Sequence, residues 1–183
     1  MDRLFATKSV FRVLCALLAL CAGSWIVMGQ AIFTDYKGAF KPAGIVDPGT
    51  VECPGGQPTG AWPFGAPCSP LESRVRVRGM VRTYLQESTD PRVRGTLFVE
   101  INANFDGWPG TGPMWGTGRL EVSPEEVWQG SWTGERTPTG ENLSSITHGS
   151  GGSIEGFKKF EEASKGTSQL WSVSGRILNP GSK

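Results

Sequence analysis

Histidine is nearly missing from this chain of 183 residues: His148 stands alone. Transition-metal centres draw on clusters of histidine, cysteine and carboxylate ligands. One imidazole with no acidic cluster at ligand spacing supplies none, so neither a metal nor a cofactor is expected. Cysteine is also scarce, at four residues. Two of them, Cys15 and Cys21, lie in an apolar run, where a thiol serves as a small hydrophobe. An excess of charge is lacking too. The 152 residues after position 31 carry 15 basic and 16 acidic side chains, and there is no aromatic RNA-binding motif, so nucleic acid is not an expected partner. Glycine recurs without a fixed period, which argues against a solenoid. No nucleophile elbow accompanies the serines near His148, so a Ser–His arrangement there has no presented nucleophile.

What the chain does have begins at its N-terminus. Arg3, Lys8 and Arg12 precede 22 uncharged residues, 13–34, and Asp35 is the first charge after them. A basic n-region followed by an apolar core of about 7–15 residues and a small-residue cleavage site makes a secretory signal; 13–23 and Gly29-Gln30-Ala31 fit that pattern. The run is also close to the ~20 residues a spanning helix needs. Residues 1–31 are therefore expected to be either a cleaved signal peptide or a retained signal-anchor helix that meets the membrane through 13–33. Both readings place 32–183 on the extracytoplasmic side, periplasmic or extracellular, as a membrane-anchored or a secreted domain.

Cys53 and Cys68 bracket CPGGQPTGAWPFGAPC, a loop without hydrophobic periodicity. An exported pair in that setting reads as a disulfide. Prolines concentrate in 42–70, and alternation takes over from residue 74. Arg74-Val75-Arg76-Val77-Arg78 separates valines from arginines, and Gly79 marks a bulge or bend before the strand continues towards 85. Residues 93–103 place Val93, Leu97, Val99, Ile101 and Ala103 on one face. The turn residues 87–91 join these two into an antiparallel hairpin. Further strands are expected at 114–122, 127–136, 142–151 and 170–178, with a short helical or irregular stretch at 154–160. Two poorer strands, 33–40 and 45–52, bring the number near eight. The fold class is accordingly all-β, an antiparallel barrel of about eight strands with a sandwich as second choice.

Trp115, Trp128, Trp132 and Trp171 fall on expected strands, and Gly130 and Gly134 share the face of Trp128 and Trp132. Large beside small is how a tapered barrel interior fills; it is also how an aromatic pocket for an apolar molecule is lined. Trp62 and Phe64 on the disulfide loop offer contacts for a partner or form a lid over the barrel. Arg74, Arg76, Arg78 and Arg82 with Arg92 and Arg94 form either an anion-binding surface or a solvated face paired with Glu87, Glu100 and Glu121. Asn142-Leu143-Ser144 matches a glycosylation acceptor.

Met114-Trp115-Gly116-Thr117-Gly118, the segment 128–134, and 148–156 running into a last glycine-containing strand resemble the allene-oxide-cyclase-like, calycin-type barrels. That resemblance spans 112–178 and implies the fold. The families concerned include cyclases and small-molecule binders, and no catalytic residue carries over from them. Three functions are expected on this basis. The first is a membrane-tethered, non-catalytic accessory subunit or interaction module of a membrane-protein complex. The second is a secreted lipocalin-like carrier of a small apolar ligand. The third is a cyclase or isomerase using a displaced ionisable group such as Glu100 or His148.

Overall fold

The alternation seen from residue 74 becomes one wall of a closed barrel. In the computed structural model, residues 31–168 and 170–181 are described. The expected signal lies outside them except for residue 31, and the expected anchor run except for 31–33, of which Ile32 and Phe33 are in a strand and not in a helix. Among the described residues, no helix is long and apolar enough to cross a membrane. The strands are β1 (Ile32–Asp47), β2 (Thr50–Glu52), β3 (Gln57–Pro58), β4 (Cys68–Ser69), β5 (Val75–Ser88) and β6 (Gly95–Phe105). They continue with β7 (Gly112–Glu121), β8 (Val127–Thr137), β9 (Gly140–Ser150), β10 (Lys158–Lys165) and β11 (Trp171–Asn179). The sheet runs β1-β11-β10-β9-β8-β7-β6-β5, and β1 also pairs with β5, closing an antiparallel barrel of eight strands. β2 adds to β5, and β3 with β4 forms a two-residue ribbon inside the disulfide loop.

Closure rests on β1. Two short strands were expected in this region, but Ile32–Asp47 is one strand, and β2 is a separate stub. Its first part pairs with β11 and its later part with β5, with register shifts between Pro42 and Gly44 and between Ile45 and Asp47. Irregularities of this kind bend a strand enough to join two sheet edges. The second difference is β10, where 154–160 was expected to be irregular. The residues turn briefly at Gly152–Ile154 and then form a strand. Its inward positions Lys159 and Glu161 are charged, so the apolar alternation that marks a strand is missing from the sequence.

Gly79 decides which way half of β5 faces. Val77 pairs with Ala103 and Met80 with Ile101, so Arg78 and Gly79 together stand opposite Asn102. Gly79 adopts φ +65°, a left-handed conformation that costs a glycine little. The extra residue inverts the alternation. Before the bulge Val75 and Val77 point inward; after it Met80, Tyr84 and Gln86 do. Arg82 therefore leaves the expected outer row and enters the barrel. The other arginines stay outside with partners different from those expected. Arg74 approaches Asp106, Arg76 approaches Glu52, and Arg78 donates to the Asn104 side chain at 2.8 Å.

The two ends of the barrel differ. One is plugged by the turns Pro91–Val93 and Gly152–Ile154, whose Val93 and Ile154 are fully buried. Asp90 caps the first turn, accepting from the Arg92 backbone N–H at 2.9 Å and from the Arg92 guanidinium at 2.6 and 3.0 Å. Those bonds hold its carboxyl below the usual range. The Trp128 indole N–H donates to the Arg92 carbonyl at 2.7 Å, sealing that end. The opposite end, where β6, β8 and β10 finish, is covered by the disulfide loop.

Candidate functional site

An eight-stranded barrel has an interior just wide enough to fill with side chains or to hold one small ligand. Here it does both in succession. Above a floor of Phe40, Val99, Trp132 and Leu143 lies a chamber of about 260 Å³. Below that floor only about 40 Å³ is open, too little for an organic molecule. Two larger depressions, of about 780 and 790 Å³, are open grooves on the outer surface that share Lys37, Ser144, Glu162 and Ser174.

The chamber walls come from alternate residues of several strands. β5 supplies Val77, Met80, Arg82 and Tyr84, β6 supplies Ile101, Ala103 and Phe105, and β11 supplies Trp171. Trp62 and Pro63 reach in from the disulfide loop and Trp108 from the β6–β7 turn, with the exposed Phe64 at the rim. The loop is held in three ways. Cys53 and Cys68 are joined, with Cα atoms 5.6 Å apart. The Trp62 indole N–H donates to the Pro48 carbonyl at 2.7 Å. Its ring meets Trp108 edge-on at 6.1 Å, a favourable aromatic geometry.

The charged groups in the wall are Arg82, Arg136, Glu141 and Lys165, beside the Tyr84 phenol. The Arg136 guanidinium sits 4.2 Å from the Phe105 ring centre and 5.7 Å from that of Trp108. The Lys165 ammonium lies 5.1 Å from the Trp171 ring centre. Aromatic faces attract cations at such distances, so the same rings that line the chamber fix its charges. Burial pushes the Tyr84 phenol above its ordinary pKa, opposed by Arg82 and Arg136 and assisted by Glu141.

A second polar group lies deeper. Glu161 Oε2 accepts from the Tyr36 phenol at 2.6 Å, from Gln86 Nε2 at 2.8 Å and from Lys159 Nζ at 3.1 Å. These donors come from β1, β5 and β10, so the cluster braces the seam where the barrel closes. Gly175 of β11 pairs with both Tyr36 and Glu161 and leaves the gap the phenol crosses. Burial, together with the Glu161 charge, raises the Tyr36 phenol well above its ordinary pKa.

Of the residues singled out in the sequence, Trp62, Phe64, Trp132 and Trp171 meet around the chamber. Trp128 is fully buried below the floor. Trp115 is on the outer face, because its neighbour Met114 points inward, and the Arg78 guanidinium lies 5.3 Å from its ring centre. Glu100 is on the face of β6 opposite Val99 and Ile101; its carboxylate accepts from Thr117 at 3.0 Å. His148 is exposed on the outer face of β9. Among the described residues no group of three or more histidine, cysteine or acidic side chains is placed to hold a metal.

Sequence reasoning named Arg82 but placed it in an outer row, and it missed Arg136, Glu141, Lys165, Phe105 and Trp108. The signal for two of them was present. Arg136 shares the alternation of Trp132, and Glu141 stands directly opposite Arg136 across the β8–β9 hairpin. The chain matches no family model, no curated protein and no solved structure.

Proposed function

We propose that this barrel is a binding protein for a small apolar molecule, held in the mouth chamber under the disulfide-closed loop on the extracytoplasmic side of a membrane. One observation carries the reading: an internal space of about 260 Å³, walled mostly by aromatic and aliphatic side chains, with four charged groups among them. Ligand sites combine these features, an apolar concavity and a small number of placed polar groups. The test is a titration of the full chain with 2-naphthamide, an uncharged planar probe, followed by tryptophan fluorescence. Saturable binding is expected, and Val99→Phe, which raises the floor into the chamber, should abolish it while retaining the wild-type circular dichroism. Binding that never saturates, or that ignores Val99→Phe, would overturn the proposal.

A second reading, an accessory module on a membrane complex, is favoured by Phe64, which exposes 89% of its surface on the disulfide loop. Intact-mass measurement of native protein from membrane and soluble fractions tests the tether. A membrane-bound chain retaining 13–33 supports it; a soluble chain beginning near residue 32 removes it. The cyclase reading receives less support, because Glu100 and His148 both stand outside the chamber.

A further inference from the structure

The charges of the chamber do not balance. Arg82, Arg136 and Lys165 face one carboxylate, Glu141. Glu141 is already shared: Arg136 Nε donates to it at 2.9 Å, and Lys165 Nζ lies 3.4 Å from its other oxygen. Nothing remains for Arg82. Its Nε is shut off from solvent and has no hydrogen-bond partner among the described residues. Its guanidinium makes no ion pair there, and lies 5.7 Å from the centre of the Tyr84 ring.

A buried donor without an acceptor is costly, and the guanidinium that carries it belongs to the chamber wall, where an anion would offset its charge. The guanidinium offers parallel N–H groups in a planar fork that matches a carboxylate. A cationic ligand would meet a chamber with a net charge of +2, and an uncharged one, even with a carbonyl that accepts an N–H, would leave that charge uncompensated. The volume of about 260 Å³ falls below the ~300–1,000 Å³ of pockets for drug-sized ligands, so the occupant is compact. The flat rings of Trp132 and Trp171 suit a planar body. Resting on the reading of the chamber as a ligand site, we infer that its occupant is a compact carboxylate with a planar apolar body, an aryl carboxylate, whose charge is taken by Arg82.

The experiment compares 2-naphthoate, 2-naphthamide and dodecanoate on the full chain and on Arg82→Gln and Arg82→Lys. Arg82 makes no ion pair among the described residues, so its variants should keep wild-type urea midpoints. Naphthoate should bind the wild type at least about tenfold more tightly than the amide, as a charge-assisted hydrogen bond allows. Arg82→Gln should remove that preference by weakening naphthoate far more than naphthamide. Arg82→Lys, which keeps the charge and loses the fork, should retain only part of it. Equal binding of acid and amide would overturn the inference while the binding chamber stands. A preference that survives in Arg82→Gln would overturn Arg82 as the recognising group, and dodecanoate outcompeting naphthoate would overturn the compact planar ligand. If neither naphthalene probe binds, the chamber reading fails and the inference falls with it.

Discussion

Glu161 is the acceptor on which the inner barrel converges, so its removal should cost more than any surface change. The side chains of Lys159 and Glu161 expose only 2% and 4% of their area. Breaking a buried ion pair by deleting one partner costs about 3–5 kcal/mol, because the other charge is left uncompensated. Glu161→Gln preserves shape and leaves an amide oxygen to accept from Tyr36 or Gln86, but it strands the Lys159 ammonium. The expected loss is about 3–4 kcal/mol, at the lower end of that range because an acceptor remains. Against a total stability of about 5–15 kcal/mol, that is a large share. Lys159→Met leaves the carboxylate with two neutral donors and should cost somewhat less. In the double variant both charges are gone while Tyr36 and Gln86 keep an acceptor, so stability should return to within about 1 kcal/mol of wild type. Urea unfolding of the four proteins at neutral pH, followed by tryptophan fluorescence, measures the cycle, with unchanged slopes as the check on two-state behaviour. A Glu161→Gln cost below about 1 kcal/mol, or a double variant as unstable as the sum of the singles, would refute the reasoning.

Reducing the Cys53–Cys68 bond should lower stability by about 3 kcal/mol on the loop-closure model, read as the difference in urea midpoint with and without reductant. Gly175→Ala would place a Cβ 2.5 Å from the Tyr36 phenol carbon and oxygen and 2.6 Å from the Phe160 carbonyl oxygen. Its cost should be about 1–3 kcal/mol by urea unfolding, and a cost near zero would mean that the phenol does not pass over residue 175. Tyr36 and Tyr84 are the only tyrosines, and both have pKa values raised above the usual 10.0. Their stabilisation is complete below about pH 10 and is lost as pH rises past it, because the unfolded chain ionises first. Phenolate absorbance should thus appear together with loss of the native circular dichroism, and ionisation near pH 10 in a still-folded protein would contradict this.

The barrel was legible where the physics of a half-buried strand operates alone. Val75 and Val77, the run from Leu97 to Ala103, and Trp128 with Trp132 alternate cleanly, and all face the interior. The disulfide was legible because Cys53 and Cys68 bracket a loop without hydrophobic periodicity, and the two are joined. Sequence reasoning failed where tertiary structure changes the rule. β10 was missed because its inward residues Lys159 and Glu161 are charged: they pair with each other, and Glu161 is completed by donors from Tyr36 and Gln86, which are distant in the chain. Arg82 was placed on the wrong face although the bulge at Gly79 was anticipated, since the consequence of one extra residue for every later side chain was not carried through. Trp115 stood among candidate contacts on residue type alone, whereas the adjacent Met114 already fixed it on the outer face.

The contrast between the two ends explains why charge sits inside so small a barrel. Near the plugged end each buried charge has its counterpart: Lys159 has Glu161, and Glu161 has two further donors. Beneath the disulfide loop two of the three cations share one carboxylate, and the Nε of the third, Arg82, has no hydrogen-bond partner among the described residues. Stability alone would favour an apolar residue at position 82, as at Met80 two residues earlier, because a buried Nε–H without an acceptor works against folding. Local departures of this kind from what the fold requires are expected at functional sites. Hence Arg82→Met should leave the barrel at least as stable as wild type, whereas an equivalent replacement at Lys159 alone should not. A marked loss of stability in Arg82→Met would mean that the guanidinium is part of the packing rather than held for a ligand.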